Sequence, residues 1–179
     1  HNATYGTGPG QQSEFDLGTL GYSQTTVNFD VTTQMDMEGF AGPVSLAMGA
    51  EMRMENYTIE AGEEAGYADG GFDVLDGPNA GNGAAVGCQC LPGLAPNNEQ
   101  DRDREAFSVY ADAEADVRDN LLVNVALRAE NYSDFGNTVN GKVALRYEIQ
   151  DGVAARGSFS TGFRAPALQE AYFSSIATN

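Results

Sequence analysis

The chain has 179 residues, enough for one domain or slightly more, and its 26 acidic and 9 basic residues give a formal net charge of −17 at pH 7. A surface this acidic repels nucleic acid, which is therefore excluded as a partner. No run of about 18 apolar residues is present, so a transmembrane helix is excluded as well.

Strict alternation of apolar and polar residues recurs along the chain and predicts an all-β fold, because successive side chains of a strand point to opposite faces. The predicted strands are 26–37, 44–57, 104–118, 121–130, 142–149 and 153–163. In 104–118, for example, Phe107 and Val109 alternate with Ser108 and Tyr110. Each strand therefore has one apolar and one polar face.

The connections between these strands differ in length. Short turns at 38–43, 118–120 and 150–152 alternate with a long loop at 58–103 and a loop of intermediate length at 131–141. This pattern is typical of an antiparallel up-and-down barrel in an outer membrane, with brief periplasmic turns and long exterior loops. The strands also exceed the five or six residues common in soluble sheets and suit a tilted span of about 9 to 11 residues.

Charged residues fall on the polar face, which would line a watery lumen, while the apolar face would meet lipid. Arg128, Glu130, Arg146 and Glu148 share that polar face. We expect opposite charges on neighbouring strands to pair there, each pair contributing about 0.2 to 1 kcal/mol.

A soluble acidic β-sandwich, acting in adhesion or calcium-dependent binding, is the alternative, since it also alternates and buries its apolar face between two sheets. Asp69, Asp73 and Asp76 could hold calcium in such a module, although their spacing is not that of an EF-hand. A sandwich would bury apolar-face residues such as Val125 and Leu145 in a closed core, whereas a membrane barrel would leave them outside.

Three segments resemble motifs of one membrane-protein family. The segment RAENYSDFG at 128–136, followed by Lys142 and Arg146-Tyr147, is similar to a stretch of TonB-dependent outer-membrane receptors. GSFSTGFRAP at 157–166 and GAEMRMENY at 49–57 resemble two other stretches of that family, in the same order. The resemblance implies a 22-stranded barrel with an N-terminal plug, in the outer membrane of a Gram-negative bacterium. Such receptors import ferric siderophores, cobalamin or saccharides with energy passed from TonB.

Six strands are too few to close a membrane barrel, whose smallest bacterial examples have eight. We therefore expect a mid-barrel fragment that continues on both sides and lacks the plug. The partners that the resemblance implies are the rest of the barrel and the plug, the TonB system acting through that plug, a small-molecule nutrient and the lipid bilayer.

Catalysis is not expected, because the single histidine is the first residue and a Ser-His-Asp site or a His-rich metal site lacks its central group. We expect no cofactor and no metal. Cys88 and Cys90 could form a local disulfide in an exposed loop, bind a metal or mark redox chemistry, and of these we favour the disulfide.

Ligand contact is expected on the exterior loop 58–103, because loops on a rigid scaffold usually carry binding. This loop contains the aromatic and amide side chains best suited to hold a small molecule. The candidates are Tyr67, Phe72, Asn79, Asn82 and Asn97.

Overall fold

A computed structural model describes residues 12–88 and 91–174 of the chain. It contains six strands: β1 (Thr19–Met35), β2 (Val44–Glu60), β3 (Gln100–Arg118), β4 (Leu121–Tyr132), β5 (Gly136–Gln150) and β6 (Val153–Ser160). Two short helices, α1 (Glu64–Tyr67) and α2 (Leu168–Tyr172), and a 3₁₀ turn at Pro96–Asn98 accompany them. Neither helix has the length and hydropathy needed to cross a membrane.

The strands form a single sheet in the order β1-β2-β3-β4-β5-β6. Neighbours in the sheet are therefore neighbours in sequence, and the prediction of an all-β, antiparallel up-and-down arrangement is confirmed. The described residues contain no second sheet that could pack on this one as in a sandwich.

Contacts divide the chain into two compact units. The first, here called the strand body, comprises Gln24–Glu55 and Arg104–Ala165. The second, here called the loop unit, comprises the described residues of His1–Ser23, Asn56–Asp103 and Pro166–Asn179.

Strand pairing in the strand body sets residues of the same face opposite one another across β3, β4, β5 and β6. One row of the apolar face consists of Ala113, Val125, Val143 and Phe159. The neighbouring row of the polar face consists of Glu114, Asn124, Ala144 and Ser158. The register thus carries the alternation seen in each strand across the whole width of the four strands.

Burial in the strand body is inverted relative to a water-soluble protein. On the apolar face Phe107, Val125 and Leu145 are 52%, 42% and 47% exposed. On the polar face, by contrast, Arg104, Ser108 and Asn124 are buried. The sandwich alternative required a dry core formed by the apolar face, so this arrangement contradicts it.

The strand boundaries differ from the predicted ones mainly at one end of the sheet. β1 begins at Thr19 instead of 26, and β3 begins at Gln100 instead of 104. In residues 19–25 the apolar side chains Leu20 and Tyr22 occupy even positions, so they do not continue the odd-numbered apolar series that predicts strand 26–37. Ladder pairing does not require that phase, and Gly21 lies against the Thr58 side chain of β2. The long connection consequently spans 61–99 rather than 58–103.

The prediction of a loop at 131–141 is wrong, because only Ser133–Phe135 separates β4 from β5. Its polar composition suggested a loop, yet the pairing continues through it: Val139 lies opposite Ala129 on the apolar face. The Asn131 amide also donates to the Asn137 side-chain oxygen at 2.7 Å. Gly136, with a φ of +75°, provides the left-handed conformation that so tight a turn requires.

At the opposite end of the strands lie two shorter turns of two residues each, Asp119–Asn120 and Asp151–Gly152. Immediately before each turn the register slips by one residue, at Val117 in β3 and at Ile149 in β5. Each slip is a β-bulge, in which an extra residue bends and twists the strand locally.

One side chain on the polar face reaches across a strand. The Tyr110 hydroxyl of β3 donates a hydrogen bond to Asp30 Oδ1 of β1 at 2.5 Å. Gly49 of β2 lies beneath this contact, and a Cβ at position 49 would stand 2.6 Å from Tyr110 Cε1. The absence of a side chain at Gly49 therefore allows Tyr110 to link three strands.

We predict that Gly49→Val destabilises the folded protein by about 1 to 3 kcal/mol, because overpacking displaces the Tyr110 ring and breaks its bond to Asp30. Gly157→Val is the matched control, since a Cβ at this strand glycine meets nothing within 4 Å. The midpoint of denaturant-induced unfolding measures both. Equal midpoints for the two variants would contradict the packing role of Gly49.

Candidate functional site

The loop unit has its own apolar core. Tyr57, Ile59 and Leu168 are almost fully buried, and Leu94 and Tyr172 pack against them. Backbone bonds fix the long connection to this core: Gly62 N–H donates to the Leu94 carbonyl at 2.9 Å, and Leu94 N–H donates to that of Leu17 at 2.8 Å. The connection 61–99 is thus a folded element that can position side chains.

Three of the five predicted ligand-binding residues lie on one small hairpin within this connection, residues 72–84. Val74 N–H donates to the Asn82 carbonyl at 2.9 Å, and Ala84 N–H donates to that of Phe72 at 3.3 Å. Asn82 N–H also donates to the Asn79 carbonyl at 3.0 Å, which closes the turn. Phe72, Asn79 and Asn82 are all exposed and therefore accessible to a ligand.

The other two predicted residues lie on different elements. Tyr67 is the last residue of α1 and is half-buried, whereas Asn97 is exposed in the 3₁₀ turn Pro96–Asn98. The hairpin thus contains three of the five predicted ligand-binding residues, whereas Tyr67 and Asn97 lie on other elements.

Acidic side chains dominate the loop unit, whose described residues include a single basic side chain, Arg102. The Asn56 amide donates to both Asp101 and Asp103, at 2.8 and 2.9 Å. In the described part of the chain no three His, Cys, Asp or Glu side chains converge as metal ligands would. Asp69, Asp73 and Asp76 therefore do not converge on one point in that part of the chain.

The cysteine prediction is tested only in part. Cys88 is buried, not exposed as expected, and its N–H donates to the Gly66 carbonyl at 2.9 Å. Cys90 lies outside the described residues, so the proposed disulfide stays a prediction.

A concave site that sequence reasoning missed lies beside the loop-unit core. Its cavity of about 360 Å³ is lined by Tyr22, Tyr57, Glu170 and Phe173, among others. Residues 168–172 follow the last predicted strand and form α2, whose Leu168 is fully buried. The apolar side chains of residues 168–172 could have indicated a buried segment, but the neighbouring sequence does not show where that segment packs.

The most deeply buried charge in the strand body is Arg104, whose side chain is only 2% exposed. Its Nε and Nη2 contact Asp134 Oδ2 at 2.8 and 2.7 Å, and its Nη1 lies 3.9 Å from Glu55 Oε2. The guanidinium carbon also stands 5.2 Å from the centre of the Phe135 ring. Two carboxylates and an aromatic face thus compensate the burial of one cation.

The three family-like segments meet around Arg104 and the aromatic ring beside it. Segment 49–57 supplies Glu55, and segment 128–136 supplies Asp134 and Phe135. Segment 157–166 supplies Phe163, whose ring lies 6.5 Å from that of Phe135 and 6.0 Å edge-on from that of Tyr132. These motif residues therefore assemble one cluster, which we call the Arg104 cluster.

The expected ion pairs between β4 and β5 do not form. Arg128 instead contacts Glu130 of its own strand at 2.8 Å, and Arg146 contacts Glu148 of its own strand at 3.4 Å. The register explains this, since it places Asn140 opposite Arg128 and Leu122 opposite Arg146. Arg128 also reaches Glu51 of β2 at 3.5 Å.

Comparison with known proteins agrees with this arrangement. The family model described as TonB dependent receptor-like, beta-barrel matches residues 1–179. The chain therefore belongs to the TonB-dependent receptor β-barrel family. No curated protein and no solved structure matches it.

We predict that Arg104→Met lowers the free energy of unfolding by about 3 to 5 kcal/mol, because it leaves two shielded carboxylates without their cation. Arg146→Met is the matched control: the Arg146 side chain is 41% exposed, so losing its pair with Glu148 should cost at most about 1 kcal/mol. Denaturant titration compares the two variants. Similar losses would show that burial does not determine the strength of these ion pairs.

Proposed function

We propose that this chain forms part of the wall of an outer-membrane receptor that takes up a small nutrient with energy supplied through TonB. Membership of the β-barrel family supports the general role. The observation that carries the proposal is the inverted burial of the strand body, with an exposed apolar face and a shielded polar face. This distribution suits lipid on one side and a watery lumen on the other.

The number of strands supports a larger closed barrel. β1 and β6 each have one neighbour in the described sheet, and hydrocarbon does not tolerate unpaired backbone groups. We propose that further strands complete the barrel, to the 22 that the family resemblance implies. A plug and the TonB system would then be the partners that couple uptake to energy, and the chain itself would act as wall and binding surface, not as a catalyst.

In the proposed orientation the turns Asp119–Asn120 and Asp151–Gly152 face the periplasm, and the connection 61–99 faces the exterior. The hairpin 72–84 is then the proposed ligand-contact element, with Phe72 as its aromatic side chain. Ferric siderophores, cobalamin and saccharides are the candidate nutrients. The acidic loop unit favours neutral or cationic ligands over strongly anionic ferric chelates.

Substitutions on the two faces test the membrane assignment. We expect Val125→Arg to lose about 2 to 4 kcal/mol of stability, because it places a charge on the lipid side near mid-strand. Ala126→Arg is the matched control: its side chain enters the polar face between Asp112 of β3 and Lys142 of β5, so one attraction and one repulsion offset each other. The amount of folded receptor in the isolated outer-membrane fraction measures both, and equal yields would contradict lipid contact by the apolar face.

Uptake assays test the receptor role. Cyanocobalamin, a ferric hydroxamate and maltohexaose serve as probes, and we expect TonB-dependent uptake of one of them. Phe72→Ala should then weaken binding by about 1 to 2 kcal/mol, as for an aromatic contact residue. Leu75→Ala, at a highly exposed position of the same hairpin, is the control.

Two results would count against these ideas. Failure of all three probes to enter in a TonB-dependent way would contradict the receptor role as proposed. Equal binding by the Phe72 and Leu75 variants would remove the hairpin from the ligand site.

A further inference from the structure

The hairpin 72–84 contains an asparagine followed directly by a glycine, Asn82-Gly83. The backbone nitrogen of the residue after an asparagine can attack the side-chain amide, and it does so most easily when that residue has no side chain to obstruct the approach. Both residues are exposed, and a Cβ at position 83 would meet no atom within 4 Å. The pair is therefore accessible to water and free of steric obstruction on that side.

The pairing of the hairpin leaves the Gly83 N–H directed outward. An isolated β-bridge sets Gly83 opposite Asp73. One backbone hydrogen bond flanks this pair on each side, and the one nearer the turn joins Val74 N–H to the Asn82 carbonyl at 2.9 Å. Flanking bonds of this kind define a non-hydrogen-bonded pair of an antiparallel ladder, whose own N–H groups point away from the partner strand. The partner strand therefore does not hold the Gly83 nitrogen.

A second Asn-Gly pair, Asn140-Gly141 in β5, is held in the opposite way. Gly141 N–H donates to the Thr161 hydroxyl at 3.0 Å. A Cβ at position 141 would stand 3.3 Å from Leu127 Cδ2. Both residues of the pair are half-buried and lie in register with β4. The chain thus contains the same dipeptide once in an exposed hairpin and once inside a paired strand.

We propose that Asn82 is a site of spontaneous covalent modification, in which its side-chain amide becomes a carboxylate. The Gly83 nitrogen loses its proton to water and attacks Asn82 Cγ. An N–Cγ bond forms, the Cγ–Nδ2 bond breaks, and the side-chain nitrogen takes up a proton and leaves as ammonia. Water then opens the resulting cyclic imide at either carbonyl, which gives aspartate or isoaspartate. The net reaction consumes one water and releases one ammonia.

Ring opening changes both the charge and the backbone at position 82. Either product adds a carboxylate to a loop unit that is already acidic. In isoaspartate the main chain also runs through Cβ and Cγ, which adds one atom to the backbone and moves the carbonyl that Val74 N–H contacts. The hairpin that carries Phe72 is therefore disturbed in the modified protein.

The modification requires only water and is independent of the proposed function. Its effect on uptake rests on that function, because the hairpin 72–84 is the proposed ligand-contact element. With age, copies of the receptor would then divide into two populations that present different surfaces to the ligand.

The test uses the full-length receptor purified in detergent and incubated at physiological temperature in water enriched in a heavy oxygen isotope. Peptide mapping by mass spectrometry measures, at each asparagine, the acid that has gained heavy oxygen from this water. We expect conversion at Asn82 to be at least about tenfold faster than at Asn140, because β5 must open locally before Gly141 can react. In denaturant the two sites should react at similar rates.

Gly83→Ala tests the attacking nitrogen. The added Cβ obstructs the attack, so conversion at Asn82 should slow at least about fivefold. The open space at position 83 allows this variant to fold. Gly157→Ala is the matched control, since a Cβ there also meets nothing within 4 Å, and it should leave the rate at Asn82 unchanged.

Amide hydrogen exchange tests the effect on the hairpin. After incubation, Val74 N–H of the wild type should exchange at least about tenfold faster than before, because its carbonyl partner has moved. Asn82→Gln, whose longer side chain forms the cyclic imide far less easily, should show no such change.

Two results would overturn the proposal: equal rates at Asn82 and Asn140 in the folded receptor, or an unchanged rate at Asn82 in Gly83→Ala. Uptake of the three probes named above is measured in parallel. A receptor in which Asn82 is converted as expected, but which takes up none of the probes, supports the modification and contradicts only the proposed function.

Discussion

The constraint on which the structure depends is that each strand has apolar side chains on one face and polar side chains on the other. In β3, β4 and β5 the polar face is the better shielded. In water this arrangement would be unstable, because it exposes Phe107, Val125 and Leu145 and buries the charge of Arg104. Next to hydrocarbon the same arrangement is favourable. The register then matters greatly, since a slip of one residue in any strand would exchange its two faces.

The Arg104 cluster gives a physical meaning to the family-like sequence segments. Segments that lie far apart in the chain supply Glu55, Asp134, Phe135 and Phe163, and each contributes a carboxylate or a ring to one buried guanidinium or its aromatic neighbours. A buried cation requires several partners at once, because each uncompensated charge costs several kcal/mol. The Arg104 cluster therefore accounts for Glu55, Asp134, Phe135 and Phe163 within the three segments.

The sequence predicted the all-β fold, the up-and-down order and the two faces, because period-two alternation is a local property of the chain. It did not predict the three-residue connection Ser133–Phe135, since residues 136–141 have the composition of a loop and form a strand only through pairing with β4. Arg104 and Leu168 were missed as buried residues for the same reason. Their depth depends on partners from distant segments, and nothing near them in sequence indicates it.

The predicted ligand-binding residues of the long connection were foreseen in part. Phe72, Asn79 and Asn82 were chosen by residue type, and the structure brings them onto one hairpin through backbone bonds that no side-chain pattern could indicate. The ion pairs of β4 and β5 show the reverse: the side chains were assigned to the right face, but their partners depend on which residues the register sets opposite them.

The extra residues at Val117 and Ile149 have a consequence for curvature. Each lies just before a two-residue turn, on alternate strands and at the same end of the sheet. Because such an insertion lengthens one strand relative to its partner, repeated insertions at one rim coil a flat ribbon progressively in a single direction. The two bulges therefore increase the local right-handed twist of β3 and β5 at the rim that carries the two-residue turns.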